Sequence, residues 1–201
     1  MPSLTFLVLL FAVLYFAKSK QQFARIALLG SHLARYRLES LMEELTEGYL
    51  RALDEKNGER QEQLWGLLGQ KEVLLAEQLR RLAADFAQVQ SPLVRVGKWP
   101  IYLPFATQLM PTACFDMRQA LQLHAASVAR ALDNPQGLSR RDRAFVICAE
   151  LFLLQHTCHW FCRSKTTASA RLLARHRTPY AQVLASVAPD TRTQYTRLVG
   201  L

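Results

Sequence analysis

"RRDRAFVICAELFLLQHTCHWFCRSK", Arg140 to Lys165, sets the architecture expected of the whole chain. At about 100° per residue, Arg143, Glu150, Thr157 and Ser164 recur every seven positions and line up as one narrow polar stripe. The rest of the circumference is apolar, and a helix apolar over most of its surface is a buried one. The stretch therefore reads as the central helix of an all-α body. Ser139 followed by Asp142 supplies a capping box to open it. Glu150 and the two histidines interrupt it too often for a membrane span. Since its stripe also holds Arg143 and Thr157, Glu150 is expected to be exposed or paired at the surface.

The end of that helix, "HTCHWFC", is the one place where the chain resembles chemistry. Measured from Glu150, His159 falls about 180° around the wheel, Cys148 about 160°, Cys162 about 120° and Cys158 about 80°. One helix therefore offers Cys158 with Cys162, or His159 with Cys162, and further ligands would have to come from His124 or Cys114 on a neighbour. Neither pair is a zinc motif. Reduced cysteine behaves as a small hydrophobe and is among the most buried residue types. Core packing is the favoured reading, with no cofactor or metal expected, and a thiol- or metal-dependent sensor is the alternative. Among catalytic arrangements, no nucleophile elbow and no partnered general acid appears, so the chain reads as a non-enzyme.

Outward from that helix the pattern stays helical. Met117, Leu121, His124, Val128 and Leu132 share one face of a helix over 112–133, and "NPQGLS" ends it. Downstream come a basic helix, "ARLLARHR", and a helix with Thr178 as N-cap and Pro179 in its first turn. A short last helix follows Pro189. Upstream, residues 21–91 read as a long antiparallel hairpin. The first arm carries Ile26, Leu29, Leu33, Leu38, Leu41, Leu45, Tyr49 and Leu53 as one helix, bent at Gly30 and Ser31. "DEKNGER" makes the turn, and a second helix over 59–90 returns. Regular apolar and charged faces of this kind suit coiled-coil-like docking or pairing with a second copy. Residues 92–201 then form a basic helical bundle introduced by a loop rich in proline and aromatic residues.

At the start of the chain "SLTFLVLLFAVLYFA", Ser3 to Ala17, has no charge. As a helix it spans about 22 Å, and Met1, Pro2 and snorkelling Lys18 and Lys20 lengthen its reach toward the roughly 30 Å of a hydrocarbon core. Residues 1–20 are therefore expected to be a single transmembrane anchor, with Leu4, Phe6, Leu10, Leu14 and Phe16 in lipid. A cleaved signal peptide wants basic residues ahead of the apolar run and a small residue where Tyr15 stands. Lys18, Lys20, Arg25, Arg35 and Arg37 follow the span and favour a cytoplasmic body with the N-terminus outside an inner (plasma) membrane. A cytosolic setting would keep all four cysteines reduced.

Charge sharpens the picture. Of the net +9, residues 1–91 contribute nothing, with eleven basic and eleven acidic side chains; residues 92–201 carry fourteen basic and five acidic. The hairpin returns the chain toward the bilayer, where Trp99, Tyr102 and Phe105 among prolines suit an interfacial belt beside Lys98 and Arg95. Arg171, Arg175 and Arg177 form a basic face suited first to lipid or a protein partner and less well to nucleic acid. The expected role is a non-catalytic, membrane-anchored scaffold, adaptor or accessory subunit of a multiprotein secretion, transport or envelope complex. Its partners would be membrane lipid and proteins of that complex, a second copy among them. A membrane-tethered nucleic-acid binder is the remaining alternative.

Overall fold

The computed structural model describes residues 2–200; Met1 and Leu201 lie outside them. The chain is all-α apart from one small ribbon. Helices α1 (Pro2–Leu33), α2 (Leu38–Asp54) and α3 (Gly58–Ala87) come first. Strand β1 (Arg95–Gly97), the short helix α4 (Ala106–Leu109) and strand β2 (Cys114–Asp116) follow, the strands pairing antiparallel with Val96 opposite Phe115. The rest is α5 (Met117–Asp133), α6 (Arg140–Cys162), α7 (Lys165–His176), α8 (Tyr180–Ser186) and α9 (Pro189–Val199).

The first arm of the hairpin differs from the continuous helix expected. It breaks at 34–37, not at Gly30 and Ser31. Gly30 keeps its helical carbonyl bond, from Ala34 N at 2.9 Å. The break is held from α3: the Tyr36 hydroxyl donates to Asp85 at 2.6 Å and the Arg37 N–H donates to Gln78 at 2.7 Å. The second of these satisfies a backbone N–H that the break leaves open, and the first pins the break to α3. A second shift concerns 112–133, whose first residues are spent on a 3₁₀ turn and β2, so that α5 opens at Met117 with the Asp116 side chain as its cap. Thr178 is not the cap of α8. Its hydroxyl turns back to His176 O at 2.9 Å, and Pro179 occupies the cap position.

Helix α6 sits at the centre, as its sequence requires. The capping box forms: Ser139 Oγ accepts from Asp142 N at 3.1 Å and donates to the Asp142 carboxylate at 2.6 Å. Ile147, Leu151, Leu153, Trp160 and Phe161 are buried, and the core around them joins the hairpin to the C-terminal helices. Contacts between α1 and the end of α6, and between α2 and the first turns of α6, make the α1–α2 arm antiparallel to α6. α3 returns beside α5, and α9 packs on α5 and runs to the β ribbon, where Gly200 meets Lys98. The body thus has two ends. One gathers the start of the buried part of α1, the β ribbon, the 98–113 loop and the α6–α7 junction. The other holds the α2–α3 and α5–α6 turns.

The polar stripe of α6 faces inward, which corrects the expectation for Glu150. Arg143 donates to both oxygens of buried Glu72 at 2.9 and 2.8 Å, and Tyr49 OH donates to the same carboxylate at 2.7 Å. Glu150 is fully buried and accepts the Ala188 N–H at 3.1 Å, tying down the start of α9. Thr157 donates to Leu153 O and meets His124 Nε2 at 2.9 Å and Tyr195 OH at 3.0 Å. Arg143, Glu150 and Thr157 therefore each join α6 to another part of the core.

Candidate membrane interface

Helix α1 is two things in sequence. From Leu4 to Phe16 nearly all of its side chains are exposed, so this part projects clear of the body. Leu4, Phe6, Leu10, Leu14 and Phe16 all lie here. From Gln22 onward one side enters the core, with Gln22, Arg25 and Leu29 buried at helical spacing. No break separates the two parts. Among the described residues α1 and α6 are each long and apolar enough to cross a membrane. Burial separates them, because α6 is the core helix whereas the side chains from Leu4 to Phe16 are nearly all exposed.

Where α1 enters the body, four segments are laced together. Arg25 is 2 % exposed; its guanidinium donates to Phe161 O at 3.3 Å and to Arg95 O, and lies 5.2 Å from the Tyr102 ring centre. Phe161 O belongs to the last turn of α6, where carbonyls carry partial negative charge and favour a cation. Gln22 exchanges bonds with Arg163, donating to its carbonyl and accepting from its Nη1 at 3.0 Å. Tyr102 OH donates to Gln21 Oε1 at 2.5 Å. The 98–102 segment is held as well: Trp160 Nε1 donates to Gly97 O at 3.1 Å, and Thr166 donates to Pro100 O through both N and Oγ1 at 3.0 and 2.9 Å.

That lacing leaves an apolar rim uncovered. Ile101 is 62 % exposed and Leu109 77 %, with Leu103, Phe105 and Met110 also exposed beside them. Of the aromatic residues expected at the interface, Phe105 is exposed, whereas Trp99 and Tyr102 are half-buried and pack the loop onto the body. Lys18 and Lys20 precede Gln21 and Gln22 directly, at the same end. The sequence reading missed Ile101, Leu103, Leu109 and Met110, as well as Arg163 and Lys165. A signal for this end was present nonetheless: residues 1–38, 86–115 and 151–189 contain no Asp or Glu.

The basic face lies elsewhere. Arg171 contacts His159 Nδ1 at 3.2 Å, Arg175 pairs with Glu43 of α2 at 3.7 Å, and Arg177 ends α7 in a left-handed conformation. Because α7 climbs away from the α6–α7 junction, these three run up the side of the body and not across the end that carries the rim.

The cysteine and histidine side chains do not converge. Among the described residues no three His, Cys, Asp or Glu side chains come together as a metal site. His124 is buried against Thr157, while His159 lies on another side of α6 beside Arg171. Burial pushes the Cys148 thiol up to about 12 and raises Cys158 and Cys162 as well. Burial also drives the pKa of His124 and of His156 down to about 3, and the His156 ring stacks on Tyr180 with centres 4.1 Å apart. Thiols held protonated are weak nucleophiles, since the thiolate is the reactive form.

No family model, curated protein or solved structure matches the chain.

Proposed function

We infer that the chain is a non-catalytic, single-pass membrane protein that serves as a scaffold or accessory subunit of a multiprotein membrane complex. In this reading its helical body stands on the cytoplasmic side of an inner (plasma) membrane, with the N-terminus outside. One observation carries it: the exposed apolar helix runs without a break into the core, where Gln22, Arg25 and Leu29 fix it. A flexible linker would let the body wander, whereas a continuous helix holds it at a set height and rotation. From residue 20 to Leu50 the α1 and α2 rise amounts to about 40 Å, so the far end is presented well away from the bilayer.

That far end has a surface suited to a partner. A groove of about 420 Å³ between α2, α6 and α8 is lined by Leu50, Leu53, Phe145, Phe152 and Val183, with Leu50 and Phe145 largely exposed. A groove of that lining accepts the apolar side of an amphipathic helix from a subunit or a second copy. The test has two stages. Full-length protein in native membranes should resist alkaline extraction, and a reporter fused at the C-terminus should read out in the cytoplasm. Phe145→Arg should then abolish co-purification of the subunits that accompany the wild type while leaving membrane insertion unchanged. Release by alkali, or a reporter active only outside, overturns the reading.

A further inference from the structure

We propose that the end of the body around α1 is a binding surface for anionic phospholipid headgroups, in which the 101–110 loop enters the interface and the surrounding cations engage phosphates. The proposal deepens the anchored reading and rests on it. The three stretches of chain that meet at this end are those without any Asp or Glu, and they bring Lys18, Lys20, Arg25, Arg95, Lys98, Arg163 and Lys165 together. Among the described residues none of these seven is in an ion pair. The Asp116 carboxylate lies opposite Arg95 in the ribbon and is already held by Arg118 at 2.6 Å.

Apart from Arg95, which faces Asp116, the cations have neutral partners. Arg25 is compensated by carbonyl oxygens and rings, and its Nε has no partner. Lys165 lies over Trp160 and Tyr180, with Nζ 5.2 and 5.4 Å from the ring centres. Gathering positive charge with no internal anion is unfavourable unless an external anion compensates it. The uncovered rim of Ile101, Leu103, Phe105, Leu109 and Met110 interleaves with these cations and continues from the exposed helix. A bilayer surface supplies both needs at once, apolar depth for the rim and phosphates for the cations. An acidic protein would satisfy the charge but would have to reach a surface that the membrane already adjoins.

The test uses the full chain in proteoliposomes of phosphatidylcholine and phosphatidylglycerol, with one lipid brominated in each sample so that it quenches nearby tryptophan. The part of the quenching that Trp99→Phe removes reports from the loop, since Trp65 and Trp160 also fluoresce. Brominated phosphatidylglycerol should quench more strongly than brominated phosphatidylcholine at the same mole fraction. With Arg95→Gln and Lys98→Gln together the preference should fall by about 25-fold, each charge accounting for about fivefold. Among the described residues Arg95 and Lys98 make no side-chain hydrogen bond, and an unchanged circular dichroism spectrum checks that the double variant folds. Equal quenching by the two lipids, or quenching by neither in a chain that resists alkaline extraction, overturns the proposal and leaves the anchor standing. Extraction by alkali removes both. Loss of the preference on adding excess inorganic phosphate would assign the cations to a free anion, and loss on adding an oligonucleotide to nucleic acid; each result also overturns it.

Discussion

Glu150→Gln tests whether the central helix carries a charge it would be more stable without. Glu150 is buried, and burial pushes its pKa from the ordinary 4.5 up to about 7 against the opposing pull of Thr191, the Ala188 N–H and Arg130. An acid whose folded pKa is raised holds its proton more tightly when folded. Its contribution to stability is complete below pH 4.5 and is lost as pH rises through 7. At about 1.4 kcal/mol per pH unit, the interval from 4.5 to about 7 is worth about 3 kcal/mol at pH 8. Glutamine abolishes that cost but accepts the Ala188 N–H as a neutral group, giving back about 1 kcal/mol. The variant should therefore be more stable than the wild type by about 2 kcal/mol at pH 8, or about 4–8 °C in Tm for a chain of this size, and about equal to it at pH 5. His124 and His156 act in the opposite sense: with folded values near 3 against 6.5, they withdraw stability as pH falls from 6.5 toward 3. They do so in both proteins, so the difference between variant and wild type isolates Glu150. Thermal unfolding in detergent, followed by circular dichroism from pH 5 to 8, gives that difference. Parallel curves, or a variant less stable at pH 8, would refute the reasoning.

Three other outcomes follow from the interior. Arg143→Met leaves the Glu72 carboxylate buried with only Tyr49 OH and should cost about 3–5 kcal/mol. Adding Glu72→Gln, which still accepts from Tyr49, should restore much of that in denaturant titration, and no recovery would show that the pair is not coupled. Thr157→Val keeps the shape but strands His124 and Tyr195, for a loss of about 1–3 kcal/mol in the same titration. A loss below half the lower figure would mean water replaces the hydroxyl. Cys148, with its thiol near 12, should alkylate with iodoacetamide at pH 8 about a thousandfold more slowly than a free cysteine peptide. Mass spectrometry of timed samples measures this, and a rate within tenfold of the peptide contradicts its burial.

The sequence made the architecture readable where one element dictates its own environment. Helix α6 is apolar nearly all round, so it had to be central, and the Ser139–Asp142 box had to open it. The uncharged start and the stretches around 86–115 and 151–189 that lack Asp and Glu were equally visible. The break at 34–37 was not, because it is set by Asp85 and Gln78, 49 and 41 residues away in the chain. Nor could spacing alone say which way Glu150 faced. A polar residue every seventh position marks either the one wet edge of a helix or a seam inside the core, and both give the same wheel. The partners decide. Arg143 meets Glu72, Glu150 meets the start of α9, and Thr157 meets His124 and Tyr195, so these three groups tie α6 to α3, to α5 and to two points along α9. Apolar packing alone would tolerate a helix rotated or slid by one turn. A seam of specific bonds penalises each such error with a buried polar group left unpaired, which is how a nearly featureless apolar cylinder comes to have a single orientation in the core.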